Sequence, residues 1–279
     1  MSRELADRVV VITGANIGIG RAVAEALAIR GARLRLLCRS LAKAAPVVDE
    51  LRARAGHADV LAVACDLGSL ASVRTAAAVL IARDEPLHVL INNAGVAGQR
   101  GVTADGFELH FGVNHVGHFL LTALLLERLR QSAPARIVHV ASNNHYGARG
   151  IDWDAIRRPT ASVSGLPEYG VSKLANVLFS NKLARRLAGT GVTSAAVNPG
   201  RVASNIWTRV PWPIRPLLKL TMLSTADGAR STVHAATHPD AATGSYLDRR
   251  GIARDASPLA RDPALAAELW SRSEAWTRV

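Results

Sequence analysis

A tyrosine and a lysine stand four residues apart in the segment Tyr169-Gly-Val-Ser-Lys173. On a helix, residues at this spacing lie on the same face, about one turn from each other. A phenol has a pKa of about 10, which is too high for ready proton exchange at neutral pH, and a nearby ammonium group favours the phenolate. The spacing therefore predicts proton transfer by Tyr169 with support from Lys173.

A glycine-rich turn follows the first predicted strand and precedes a helix predicted from Arg21, with the sequence Thr13-Gly14-Ala15-Asn16-Ile17-Gly18-Ile19-Gly20. Glycines let a backbone approach a pyrophosphate closely, and a helix N-terminus adds free N–H groups and partial positive charge. The GxxxGxG spacing differs from the GxGxxG of the commoner dinucleotide fold, so a purely structural turn is the alternative. Together with the motifs below, the turn predicts a phosphate cradle.

Short apolar runs alternate with longer segments of helical periodicity. The predicted strands are Val9–Thr13, Leu34–Cys38, Val60–Cys65, Val89–Asn92, Arg136–Ala141 and Thr193–Asn198. The predicted helices are Arg21–Ile29, Ala42–Arg54, Leu70–Arg83, Phe107–Arg130 and Glu168–Leu187, followed by a short strand at Ser245–Leu247 and a closing helix within Pro258–Thr277. Continuous apolar strands joined by helices predict an α/β fold with a doubly wound parallel sheet, in one domain over residues 1–279.

The composition is that of an ordinary globular protein, with 49% apolar and 20% charged residues. The longest strongly apolar stretch, Phe119–Leu126, is too short to span a bilayer, and the first eight residues alternate in charge. We therefore expect a cytoplasmic protein without an integral membrane segment.

The formal net charge is +12, and the excess is almost entirely arginine spread along the chain. Because the basic residues form no block with interleaved aromatics, we do not expect nucleic-acid binding. A basic field does raise the local concentration of phosphate-bearing ligands. Cys38 and Cys65 each end an apolar run, which favours reduced thiols over a disulfide, and no residue cluster predicts a metal site.

Further motifs occur in a fixed order with the turn and the tyrosine: Asn92-Asn93-Ala94-Gly95 after the fourth strand and Pro199-Gly200 after the sixth. With them the chain resembles the classical short-chain dehydrogenase/reductase family from about Val9 to the C-terminal helix. The glycine turn, Cys38-Arg39-Ser40, and Asn114-His115-Val116-Gly117-His118-Phe119 are most similar to the retinol dehydrogenase and WW-domain oxidoreductase branch. The resemblance implies a Rossmann fold and hydride transfer between NADP(H) and a carbonyl or alcohol.

The resemblance also assigns residues along the cofactor. It places Asn93, Ala94 and Gly95 against the dinucleotide and Asp66 and Leu67 at the adenine edge, although Asp66 could also cap the next helix. It places Pro199, Gly200, Val202 and Ser204 around the nicotinamide.

The choice of dinucleotide is predicted from the residue that follows the second strand. An acidic side chain there would bind a free ribose 2′-hydroxyl and repel a 2′-phosphate, but this chain has Arg39. Its guanidinium could clamp that phosphate, with Lys43 as a helper, which predicts NADP(H). The alternative is an exposed arginine at a helix entry.

The catalytic set implied by the resemblance is Asn114, Ser142, Tyr169 and Lys173. Ser142 would donate a hydrogen bond to the substrate carbonyl, and Lys173 would also bind the nicotinamide ribose. Asn114 would kink its helix and hold a water next to the lysine, or else only pack that helix.

Three histidines near this set are further candidates for acid or base roles. His115 and His118 are interpreted as packing residues, while His145 is left open between a pocket residue and a structural one.

The segment from about residue 201 to 224 occupies the position of the family's substrate lid. Its apolar residues are Ile206, Trp207, Val210, Trp212, Ile214, Leu217, Leu218 and Met222. They predict a hydrophobic small-molecule ketone, aldehyde or alcohol as substrate, although packing or a weak membrane-surface contact would use the same residues.

A catalytically idle NADP(H)-binding sensor or scaffold is the competing function. Such a protein could dispense with the four catalytic residues, so their joint presence favours an enzyme. The helices Phe107–Arg130 and Glu168–Leu187 correspond to the family's usual dimer surface, which is compatible with a homodimer or homotetramer.

Overall fold

A computed structural model describes residues 4–55, 59–202 and 223–279. Within these residues eight strands form one sheet in the order β3-β2-β1-β4-β5-β6-β7-β8, and only the β7–β8 pair is antiparallel. The strands are β1 Val9–Thr13, β2 Arg33–Cys38, β3 Val60–Ala64, β4 Val89–Asn92, β5 Ala135–Val140, β6 Val192–Val197, β7 Tyr246–Leu247 and β8 Ala253–Arg254. The predicted doubly wound parallel sheet in a single α/β domain is confirmed.

The helices lie on both faces of the sheet. They are α1 Gly18–Ile29, α2 Leu41–Ala55, α3 Leu70–Ala82, α4 Leu109–Gln131, α5 Leu166–Arg186, α6 Thr225–Thr237 and α7 Pro263–Thr277. Successive strand residues point to opposite faces, so in β1 Val10 and Ile12 pack with α1, α2 and α6. Val9 and Val11 pack with α3, α4 and α5 on the other side. The central strands are apolar throughout because both of their faces are buried.

The predicted elements differ from the structure mainly at helix ends and near the C-terminus. The helices predicted from Arg21, Phe107 and Glu168 begin at Gly18, Leu109 and Leu166. The closing helix begins at Pro263, where the Asp262 carboxylate accepts hydrogen bonds from two backbone N–H groups of the first turn.

Helix α6 is absent from the sequence prediction. Its buried positions hold small residues such as Ala229, Ser231 and Thr232, which do not make a large apolar stripe.

The sheet has its topological switch point between β1 and β4. The chain runs outward from β1 to β3, returns to the other side of β1, and continues outward from β4. In doubly wound sheets, ligands bind in the crevice at the carboxyl ends of the strands at this point. The glycine turn and the Asn92-to-Gly95 motif follow the two strands that border it.

Helix α4 carries two further features. It has a π-helical turn at Gly112–Val116. By length and composition it could cross a membrane, but 72% of its most apolar window is buried within the fold. A core helix of a soluble protein has the same composition, so this is weak evidence for a membrane span.

Helix α7 covers part of the surface formed by α4 and α5. The Trp270 ring lies 5.1 Å from the Phe119 ring and 5.7 Å from the Phe179 ring, measured between centroids. His115 on α4 is hydrogen-bonded to Ser273 on α7 at 2.9 Å. Part of the surface predicted for dimer formation is therefore occupied by the chain's own C-terminal helix.

Candidate active site

The glycine turn has the geometry of a phosphate cradle. Gly14 has φ +67°, and a Cβ built on it would lie 2.9 Å from the Ala94 Cβ. A Cβ on Gly20 would collide with the Gly14 carbonyl oxygen, so neither position accepts a larger residue. Helix α1 begins at Gly18 without a capping side chain and without an acidic residue in its first turn. These free N–H groups and this close backbone approach fit an anionic dinucleotide.

The other predicted cradle residues lie in the same turn. Asn16 and Ile19 are half-buried, and the Ile17 side chain is exposed. Burial raises the pKa of the Cys38 thiol at the end of β2, and the nearby backbone of Ala15 and Asn16 lowers it in part. Cys38 and Cys65 are both free and buried.

Thr13 joins the ends of β1 and β4 at the switch point. Its hydroxyl oxygen accepts hydrogen bonds from the backbone N–H groups of Asn93 and Ala94, each at 2.9 Å. The Asn93 side-chain amide in turn donates to the Thr13 carbonyl at 2.9 Å. The cradle and the Asn93-Ala94-Gly95 turn are thus held as one unit. Asn92, by contrast, is buried and bonds Thr122 at 2.9 Å, away from this unit.

His118 connects this unit to the helix that carries Asn114. Its Nδ1 lies 3.0 Å from the Asn114 carbonyl oxygen, and its Nε2 lies 2.9 Å from the Thr13 hydroxyl. Because a carbonyl only accepts, Nδ1 must carry the proton, and Nε2 then accepts from the Thr13 O–H. Burial lowers the pKa of His118 to about 4, so the ring is neutral at physiological pH.

The interpretation of His118 as a packing residue therefore needs correction. The residue is buried, but it makes two polar contacts between the cradle and α4. The signal in the sequence was its four-residue spacing from Asn114. His115 does pack among aromatic rings, and its hydrogen bond goes to the C-terminal helix.

Asn114 lies in the π-helical turn with its side chain fully buried. Its Oδ1 accepts from the Val96 N–H at 2.8 Å, and its Nδ2 donates to the Val96 carbonyl at 3.0 Å and to the Ser172 hydroxyl at 2.9 Å. A Cβ built on Gly95 would lie 3.2 Å from the Asn114 Oδ1 and 3.7 Å from the Lys173 Nζ. Asn114 thus holds the segment after β4 against the helix that carries Lys173.

Tyr169, Lys173 and Ser142 come together at the carboxyl end of β5. The Ser142 side chain lies close enough to the Tyr169 phenol to lower its pKa, and the Lys173 Nζ lies 5.5 Å from the centroid of the Tyr169 ring. Lys173 donates to the Val140 carbonyl at 2.8 Å. Burial raises the pKa of Tyr169, against the opposite effect of Ser142, and burial lowers the pKa of Lys173 to about 7. The cluster therefore holds a protonated phenol beside an amine that exchanges protons near neutral pH.

His145 is a structural residue of the Ser142 loop. Its Nδ1 lies 2.8 Å from the Ser142 carbonyl oxygen, so this nitrogen donates, and its Nε2 accepts from the Ser257 N–H at 3.0 Å. The ring is fully buried, whereas that of the next residue, Tyr146, is 49% exposed. The open question about His145 is thus answered in favour of positioning Ser142.

The predicted adenosine end has two exposed basic side chains. Arg39 and Lys43 lie at the end of β2 and in the first turn of α2, and neither has an ion pair within the described residues. Asp66 accepts from the Gly68 N–H at 2.9 Å, while Ser69 is the N-cap of α3. Asp66 thus shapes the turn before the helix rather than capping it. Leu67 is buried next to Gly117 of α4.

The predicted nicotinamide end is described only in part. Pro199 is buried, Gly200 has φ +83°, and Val202 is buried and bridged to Leu223. Ser204 and the apolar lid residues from Ile206 to Met222 lie outside the described residues.

Comparisons with known proteins agree with this geometry. The family model described as short chain dehydrogenase matches residues 8–153. The chain is 43% identical to retinol dehydrogenase 12 of Mus musculus over 97% of this chain and 86% of that protein. The predicted resemblance to the retinol dehydrogenase branch is thereby confirmed.

Solved structures extend the likeness to the whole chain. An uncharacterised protein from Mycobacterium paratuberculosis is 33% identical with a TM-score of 0.81, over 100% of this chain and 98% of that one. The 3-ketoacyl-(acyl-carrier-protein) reductase from Brucella melitensis, in complex with NADH, is 26% identical with a TM-score of 0.68, over 89% of this chain and 100% of that one.

Proposed function

The chain belongs to the short-chain dehydrogenase family and is an oxidoreductase that acts by hydride transfer; we propose that it uses NADP(H) and reduces a hydrophobic ketone or aldehyde. The observation that carries the proposal is the position of the buried Tyr169 phenol, which lies close enough to the Ser142 side chain for Ser142 to lower its pKa and lies beside Lys173 at the carboxyl end of β5. An idle sensor would have no need for this arrangement.

Each residue of the cluster has a defined part in carbonyl reduction. The bound dinucleotide supplies the hydride. Ser142 donates a hydrogen bond to the carbonyl oxygen, and Tyr169 gives its proton to the same oxygen as negative charge develops there. Lys173, with its pKa lowered to about 7, can then reload the phenol near neutral pH. In the direction of alcohol oxidation the protons move in reverse.

The proposal is tested by replacing Tyr169 with Phe. Removing one hydroxyl should lower turnover of an aldehyde and ketone panel about 10³-fold, because a positioned acid contributes rate enhancement of that order. The affinity for NADPH, measured by fluorescence titration, should stay within about twofold, since the cradle is untouched. Full activity of Tyr169→Phe would refute the mechanism, and a wild-type protein that binds NADPH but reduces nothing would support the sensor function.

The preference for NADP(H) is proposed from Arg39. This side chain is exposed at the end of β2 without an ion pair in the described residues, and Lys43 lies one turn further on. Both are therefore available to a ribose 2′-phosphate. Arg39→Asp should shift the ratio of kcat/KM from NADPH towards NADH by about 100-fold or more, the equivalent of about 3 kcal/mol.

A matched control for Arg39→Asp is Arg130→Asp. Arg130 is exposed near the C-terminal end of α4, at the amino ends of the strands. Its replacement therefore makes the same change in net charge far from the predicted cofactor site. It should leave the ratio unchanged. An unchanged ratio in Arg39→Asp, or an equal shift in both variants, would rule out Arg39 as the determinant.

The apolar composition of the lid segment supports a hydrophobic substrate, and a panel of apolar and polar carbonyl compounds would test it. Three further statements stay predictions: the cytoplasmic location, the absence of an integral membrane segment, and a homodimer or homotetramer.

A further inference from the structure

A cavity of about 560 Å³ opens beside the catalytic serine. One side is formed by Asn143 and Tyr146 of the Ser142 loop, and the opposite side by the β7–β8 hairpin. Asn143 directly follows Ser142 in the chain, so this side of the cavity belongs to the loop that carries Ser142.

The floor of the cavity is polar and aromatic, and its polar groups form hydrogen bonds with one another. The Asn143 Oδ1 accepts from the Tyr246 hydroxyl at 2.9 Å and from the Asn198 side-chain amide at 2.8 Å. The Tyr146 ring packs against the ring of His145, and its hydroxyl is bonded to the Asp255 carbonyl. The floor therefore offers aromatic surface without an unpaired charge.

The rim of the cavity is a preformed hairpin turn that presents arginines. The Asp248 carboxylate accepts from the backbone N–H groups of Arg250 at 2.8 Å and Ile252 at 3.1 Å. The Asp248 N–H bonds the Ile252 carbonyl at 2.8 Å, which closes the turn. A Cβ built on Gly200 would lie 3.4 Å from both the Cβ and the Cδ of Arg249, so the stem of Arg249 rests on the Pro199-Gly200 turn. The hairpin backbone and the stem of Arg249 are thus positioned before a ligand binds.

The rim carries an excess of positive charge. Arg201, Arg249, Arg250 and Arg254 line the cavity against a single acid, Asp248, whose carboxylate lies 3.2 Å from Arg254. Neither Arg249 nor Arg250 has an acidic partner within the described ranges, and the sequence from 203 to 222 contains basic residues but no Asp or Glu. Exposed guanidinium groups around a concave surface attract and bind anions, with a geometry that suits carboxylate and phosphate.

We propose that this cavity binds an anionic group of the substrate, a carboxylate or a phosphate, with Arg249 and Arg250 as the specificity-determining residues. The inference rests on the proposed carbonyl reduction and narrows its substrate class. The substrate then has a carbonyl at Ser142 and Tyr169 and an anion at the hairpin tip, and its apolar part lies between them.

Matched pairs of probes test the proposal. We would compare 4-formylbenzoate with its methyl ester, which have the same aldehyde and differ in charge, and use 4-formylphenyl phosphate to distinguish phosphate from carboxylate. The wild type should prefer an anionic probe at least tenfold in kcat/KM. The double variant Arg249→Gln, Arg250→Gln should lose that preference through a higher KM, while kcat/KM for the ester stays within about twofold.

The control is the double variant Arg130→Gln, Arg185→Gln, which makes the same change in net charge at the amino ends of the strands. It should keep the preference for an anionic probe. An equal loss with ester and anion, a weaker NADPH affinity in the double variant, or an unchanged preference would overturn the proposal.

A binding measurement separates this inference from the proposed function. Terephthalate has no aldehyde, so its calorimetric titration into the enzyme with NADP⁺ needs no turnover. We expect at least tenfold weaker binding to the double variant than to the wild type and to the control. Absence of turnover with every probe would count against the proposed reduction, whereas equal terephthalate binding in all three proteins would refute the anion site.

Discussion

The two ends of the site are built in opposite ways. At the cofactor end, Thr13, His118 and Asn114 are fully buried, and their hydrogen bonds link β1, β4 and α4. At the substrate end, the arginines of the hairpin are exposed, and their positions follow from backbone bonds within a short turn. The proposed reaction is thus supported by a network that tolerates little change, whereas the proposed anion site uses side chains that can vary without disturbing the sheet.

This contrast has a physical cause. A buried polar group must keep its partner, because leaving it unpaired costs about 1–3 kcal/mol. Exposed charges interact weakly with the fold, and replacing one usually changes stability by no more than about 0.5 kcal/mol. Substitutions at the cofactor end should therefore affect catalysis and folding, and those at the hairpin should affect ligand preference alone.

The contrast between the two ends can be tested at His118, where we expect the largest loss of NADPH affinity or kcat. Two variants remove its two hydrogen bonds one at a time. His118→Asn keeps a donor near the Asn114 carbonyl and loses the acceptor for Thr13, so the affinity for NADPH should fall with kcat nearly kept. His118→Gln can keep the acceptor for Thr13 and lose the donor, so kcat should fall with affinity nearly kept. Each loss should be about 30-fold, from about 2 kcal/mol for one unpaired buried group. Fluorescence titration and steady-state kinetics measure both.

The matched control for these variants is His115→Asn. His115 lies on the same helix and is equally buried, but its hydrogen bond goes to Ser273 on the C-terminal helix. We expect a lower Tm with both NADPH affinity and kcat close to wild type. If the two His118 variants lose affinity and kcat in parallel, as a general loss of folding would cause, the link between cradle and catalytic helix is wrong.

The sequence predicted the central sheet well because its strands are continuous apolar runs and its motifs stand at fixed strand ends. It did not predict α6, whose buried face is made of small residues, or the antiparallel β8, whose two residues are exposed. Nor could it pair His118 with Thr13, since the two residues are 105 positions apart and meet only through the order of the strands. The candidate catalytic residues could be predicted from the sequence because their spacing along the chain is local or marked by a motif. The arginine rim of the cavity could not be predicted, because arginines occur throughout this sequence and only the fold of the hairpin brings Arg249, Arg250 and Arg254 together.

A further prediction concerns the effect of acid on three buried histidines of helix α4 and strand β5. Burial lowers the pKa of His115 to about 3, of His118 to about 4 and of His139 to about 3. In the unfolded chain each takes a proton near its ordinary pKa of about 6.5, so the unfolded state binds more protons below that pH. The stability that the neutral rings confer is complete above pH 6.5 and falls as the pH drops towards 4. Each ring contributes a slope of about 1.4 kcal/mol per pH unit, so the three together contribute about 4.

This dependence of stability on acid can be tested by replacing one of the three histidines with a residue that does not titrate. His139 packs against the Phe179 ring, at 4.8 Å between centroids, and its Nε2 has no hydrogen-bond partner within the described residues. Its Nδ1 has one long contact, 3.4 Å from the Asn92 side-chain amide, which Phe would remove while keeping the aromatic packing. Urea unfolding of His139→Phe between pH 6 and pH 4.5 should show the slope of the unfolding free energy reduced by about 1.4 kcal/mol per pH unit. The hairpin supplies the control, because arginine stays charged throughout this range. Arg250→Gln should therefore follow the wild-type slope, and a His139→Phe slope equal to the wild type would place the acid sensitivity of the fold outside this buried histidine.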